Sequence, residues 1–141
     1  MALKWPVIAL TVALAACGPA SQPTPGDVPR YDGVAESETI SLLGNEPFWG
    51  ARIAGGAMVY STPNNIDGVS IPVTRFAGNG GLGFHGELEG QPVHVAVTPG
   101  DCSDGMSDRT YPFTATVKIG DVTLNGCGFS GKNPFTGDES P

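Results

Sequence analysis

From residue 39 onward the apolar side chains fall into eight short runs separated by turn residues. They are 39–43 (TISLL), 48–53 (FWGARI), 57–61 (AMVYS), 69–76 (VSIPVTRF), 82–88 (LGFHGEL), 93–98 (VHVAVT), 112–119 (PFTATVKI) and 122–127 (VTLNGC). The seventh is the clearest. Phe113, Ala115, Val117 and Ile119 alternate with Thr114, Thr116 and Lys118. A period of two marks a strand with one face on a core and the other in water. No helical window separates the runs, because Gly and Pro recur too often. Strands at this spacing predict an all-β antiparallel meander of about eight strands. The pattern fits a small up-and-down barrel, and equally a two-sheet sandwich. A barrel removes the edges that invite aggregation.

The punctuation adds local detail. Gly55-Gly56 ends the second run, GNGG at 78–81 follows the fourth, and Gly120-Asp121 is suited to a two-residue hairpin loop. Gly44-Asn45 is turn chemistry, and Pro47 favours an extended Glu46. Phe48 and Trp49 then point to opposite faces, one to the core and one toward the surface. Pro72 predicts an edge or a bulge in the fourth run.

The flanks read differently. Residues 18–38 hold Pro19, Pro23, Pro25 and Pro29 among Ser, Thr, Gly and acids, with no apolar period. Such a tether reaches at most ~65 Å at ~3.1 Å per residue. Residues 129–141 have a similar composition and predict a flexible tail. The resulting division is 1–16 leader, 17–38 tether, 39–128 all-β domain and 129–141 tail.

Met1 to Cys17 reads MALKWPVIALTVALAAC. One cation, Lys4, precedes an apolar run of about 12 residues, too short to span ~30 Å of hydrocarbon. It has the form of a secretory leader. Its end, Leu14-Ala15-Ala16-Cys17, resembles the lipobox of bacterial lipoproteins. That resemblance implies cleavage before Cys17, acylation of Cys17 and anchoring in a membrane by several acyl chains. Gly18, which is not Asp, implies the outer membrane of a bacterial envelope, facing the periplasm. With Cys17 lipidated, Cys102 and Cys127 remain as a pair in an oxidising compartment, which predicts a disulfide. It closes a loop of about 25 residues, worth roughly 3.5 kcal/mol in the chain-entropy model.

Charge narrows the partners. The formal net charge is −7. Without Lys4 the chain carries six basic and fourteen acidic residues, a net charge of −8. Such a surface lacks the basic patch nucleic-acid binding requires, and it favours basic envelope proteins or metal cations. G-x-S-x-G, H-E-x-x-H and the P-loop are all absent, and no cofactor motif appears, so the sequence predicts a non-enzyme without cofactor. No spacing joins Ser103 or Ser107 to a histidine as a catalytic pair.

Three constellations carry candidate chemistry. In GNEPFW, Glu46 and Trp49 line a pocket, or else the string is a turn plus a core aromatic. In 101–112, Asp101, Asp104 and Asp108 lie within eight residues, with Arg109 and Tyr111 close behind. These carboxylates gather a hard cation such as Ca²⁺, or else they belong to a stapled loop with an Asp-Gly turn and an Asp–Arg pair. Glu46, Trp49, Asp101, Asp104, Asp108, Arg109 and Tyr111 thus form a candidate binding surface. Finally, a two-residue loop at Glu89-Gly90 sets His85 opposite His94, with Cβ atoms ~5 Å apart. With Glu87 on the same face, the three side chains offer ligands for Zn²⁺ or Cu²⁺; otherwise both histidines are solvated surface residues.

The strings GNEPFW and CSDGMSDxxYP and the closing Gly126-Cys127 resemble a family of uncharacterised bacterial envelope lipoproteins over residues 41–128. The resemblance implies an exported single domain with Cys102 paired to Cys127, and it implies no assigned activity. Size, tether and expected barrel also resemble lipoprotein inhibitors of lysozyme, without a shared motif. The function expected is a lipid-anchored binding or interaction module of the envelope. An inhibitor of a basic cell-wall hydrolase and a divalent-ion-binding module are the alternatives.

Overall fold

The alternation is realised as eight β-strands: β1 (Ile40–Asn45), β2 (Phe48–Ala54), β3 (Ala57–Thr62), β4 (Asn65–Ala77), β5 (Leu82–Leu88), β6 (Gln91–Ser103), β7 (Thr110–Ile119) and β8 (Val122–Ser130). The computed structural model describes residues 29–138. The expected leader, the lipidated Cys17 and most of the tether lie outside the described residues. Each strand pairs antiparallel with the next, and β1 returns to β8, which closes a barrel in sequence order. Closure decides between barrel and sandwich. β7 follows its sequence pattern, with Phe113, Ala115 and Val117 buried and Thr114, Thr116 and Lys118 exposed. The inward side chains of all eight strands join in one core.

Turn chemistry sets the registers. Gly55 and Gly56 take φ of 55° and 80°, Glu89 and Gly90 take 50° and 79°, and Gly120 takes 56°. Positive φ at the tip matches the right-handed twist of the flanking strands, so these three hairpins close with two residues each. One expectation changes. The β1–β2 turn is Glu46-Pro47, joined by a cis peptide bond, while Gly44 and Asn45 continue β1. Pro72, by contrast, does sit at a local edge: β4 pairs with β5 only from Val73 onward, so on that side the ladder stops at the residue that lacks a donor.

The flanks are shorter than their composition predicts. Val34 is fully buried, and Tyr31 packs against the same core. Arg75 of β4 donates to the carbonyls of Val34 and Ala35, and the Tyr31 amide donates to Gly78. Residues 29–38 therefore belong to the domain rather than to the tether. Residues 129–138 are also tied down. Phe135 packs on Tyr111 and on Phe129, Arg109 lies over its ring at 4.3 Å, and Thr110 and Thr136 exchange two backbone hydrogen bonds. Glu38 links the two flanks. Its carboxylate accepts from the amides of Ala35 and Lys132 and from the buried Ser130 hydroxyl. These bonds, the Ala35 amide foremost, hold its carboxyl below the usual glutamate range.

Val34 therefore acts as a plug and not as linker. Val34→Ala is expected to cost about 2 kcal/mol in urea melts, against ~0.5 kcal/mol or less for Ile66→Ala at an 81% exposed site.

Candidate functional site

Three separated strings of the sequence meet at one place on the barrel wall. Trp49 starts the assembly. Its indole lies inside the barrel across Gly44, its direct partner on β1, and reaches β8. There Nε1 donates to the Asn125 carbonyl at 3.3 Å. A Cβ at Gly44 would strike the indole, and one at Gly126 would strike both the indole and the Leu43 carbonyl. Glycine at both positions opens the slot that the largest side chain fills.

The second string adds a staple. β6 carries an irregularity between Pro99 and Cys102 and then pairs with β7 again at Tyr111 and Thr110. Cys102 bonds Cys127 of β8, with Cα atoms 5.6 Å apart. Asn45 at the end of β1 donates to the Asp104 carbonyl, so the loop after β6 is held at both its base and its flank. Asp104 then organises the loop from within. One carboxylate oxygen accepts from the amides of Met106 and Ser107, the other from the hydroxyls of Ser107 and Tyr111. Led by the Ser107 hydroxyl, these donors hold its carboxyl at about 2, below the ordinary 3.8.

Between this loop and the β1–β2 turn lies an open cleft of about 560 Å³. Its wall is formed by residues 43–46, 102–106 and 125–127. Glu46 is exposed on its rim, and Met106 stands 59% exposed on the other side. The space between Glu36, Ile40, Ile53 and Phe84 amounts to about 40 Å³.

The expected surface is thus brought together only in part. Glu46 and Asp104 line the cleft. Trp49 and Tyr111 are buried at 5% and 2% exposure and support it from behind. Asp101 and Asp108 are exposed outside its lining. Arg109 turns to Phe135. Both oxygens of Asp104 are occupied by protein donors, which argues against a Ca²⁺ centre built on that residue. The pattern missed Asn45 and Met106, because neither is unusual until the loop folds onto β1. The exposed partner of Trp49 is Phe48, 53% exposed on the outer face. His85 and His94 do stand opposite each other. Glu87 does not complete a metal centre with them, as no group of three or more His, Cys, Asp or Glu forms among the described residues.

Searches against protein-family models, curated proteins and solved structures return no significant match to this chain.

Two outcomes follow from this geometry. Gly126→Ala is expected to lose about 3 kcal/mol in denaturant, since the added methyl meets backbone and indole together. For Asp104 the folded state prefers the ionised form. Its contribution is complete above 3.8 and is lost as pH falls toward about 2. The stability gap between the wild type and Asp104→Asn, read from urea melts, should therefore narrow over that interval.

Proposed function

We propose that this chain is a lipid-anchored module of the bacterial cell envelope that binds a protein partner at the cleft beside the disulfide. One observation carries the reading. The three distinctive strings of the sequence are far apart in the chain, and all of them build this one surface. The inward side chains of the described residues pack into one core, and the cleft lies on the outside of the barrel. The cleft is preorganised by a covalent bond, an indole wedge and an internally satisfied carboxylate. Rigid surfaces lose little conformational entropy on association.

Chemistry suggests the partner. Glu46 offers a charge and Met106 an adaptable apolar contact on opposite rims. A strongly acidic protein steers basic partners toward itself. A basic envelope protein fits both properties. The same charge favours a second reading, an inhibitor of a basic cell-wall hydrolase of the lysozyme type.

A photoreactive amino acid at Met106, introduced in intact cells, is expected to yield a discrete protein adduct that the same probe at Ile66 does not. Identical adducts at both positions, or none at Met106, would overturn the proposal. Glu46→Lys should weaken the adduct. Lysozyme assayed at low salt separates the two readings: salt-sensitive inhibition supports the inhibitor, and uninhibited activity excludes it.

A further inference from the structure

His85 and His94 are direct partners on β5 and β6, both exposed on the outer wall. Their Nδ1 atoms lie 2.8 Å apart, one ring donating and the other accepting. The rings meet edge to face, with centroids 5.0 Å apart. Their placement has little slack. Phe84 and Val95, the next residues in each strand, are buried in the core and pair with each other. The Glu89-Gly90 turn fixes the register, and a closed barrel blocks slippage. Around the pair stand Thr74 of β4 beside His85, Lys118 of β7 beside His94, and Glu87 two residues along β5.

We propose that His85 and His94 form a two-histidine site for a divalent transition-metal cation, Cu²⁺ above all. The directly opposed, exposed pair carries the argument: two Nδ1 atoms 2.8 Å apart are near enough for one ion with bonds of about 2.0 Å to reach both. In the free protein an N–H···N bond joins them, and binding breaks it: the donor ring gives its Nδ1 proton to solvent and takes one at Nε2, so that both Nδ1 lone pairs face the ion. Imidazole suits Zn²⁺, Ni²⁺ and Cu²⁺, and Cu²⁺ stands highest in the affinity order for such ligands. With no third protein ligand grouped among the described residues, the remaining corners are left to water or to a donor from another molecule. The acidic surface enriches cations around the protein; Glu87 adds to that field and Lys118 opposes it. This site rests on the β5–β6 register and is independent of the cleft.

The test is a Cu²⁺ titration of the folded, disulfide-bonded chain, followed by calorimetry and electron paramagnetic resonance. One ion per chain is expected, with hyperfine structure from two imidazole nitrogens, and with weaker binding of Ni²⁺ and Zn²⁺. His85→Ala and His94→Ala should each lower Cu²⁺ affinity at least about 10-fold, the least that losing even an outer partner of a ligand costs. Each should also remove one nitrogen from the spectrum. Circular dichroism without metal checks that the variants fold, and His85→Gln and His94→Gln replace any that does not. Wild-type affinity in both variants, a spectrum lacking two imidazoles, or tighter binding of Zn²⁺ than of Cu²⁺ would overturn the proposal.

Discussion

Ile40↔Ser130 through Leu43↔Cys127 are the four residue pairs that turn an eight-strand meander into a closed wall. Without them β1 and β8 would each offer unpaired amides and carbonyls to any passing strand. This seam joins the most distant parts of the domain, so forming it carries the largest loop-closure entropy in the fold. The supplementary bonds concentrate there. The Trp49 indole passes from β2 behind β1 to the Asn125 carbonyl of β8. The Cys102–Cys127 disulfide fastens β8 to the far end of β6, Asn45 fastens β1 to the same loop, and Glu38 fastens the segment before β1 to Ser130. The candidate binding cleft lies against this seam, so its rigidity is inherited from the closure itself.

Much of this architecture was legible in the residues. Period-two alternation located all eight strands within a few residues, because in a barrel every strand has one buried and one wet face. The Glu89-Gly90 and Gly120-Asp121 loops gave correct registers, since a two-residue loop with positive φ at Glu89, Gly90 and Gly120 leaves the pairing little freedom. What composition concealed were the flanks. One apolar anchor, Val34, among prolines and acids carries no periodicity, yet it seals an end of the core. Phe129 and Phe135 are likewise too sparse to make a pattern, and their value depends on meeting Tyr111. Gly44-Asn45 misled for a related reason. Glycine there serves the Trp49 indole and not a turn, which only the partner strand reveals.

In the acidic loop the carboxylate that faces the cleft already has protein donors. Asp104 is the residue among Asp101, Asp104 and Asp108 that faces the cleft, and it spends its lone pairs on Ser107, Met106 and Tyr111. Its negative charge is balanced by the oriented dipoles of those donors. The histidines are the opposite case. They hydrogen-bond to each other on an exposed wall, through one shared proton that a bound ion would displace.

The clasp at Glu38 has a mechanical consequence. An even number of antiparallel strands returns the chain to the pole where it began, so both flanks leave the barrel side by side. Tension applied from the N-terminal side travels through residues 29–38 before it reaches Ile40. It is met by the Tyr31 bond to Gly78, then by the Arg75 grip on the Val34 and Ala35 carbonyls and by the Glu38 knot. Such a pull is thus absorbed at the base, and the β1–β8 zipper feels no load until that base gives way.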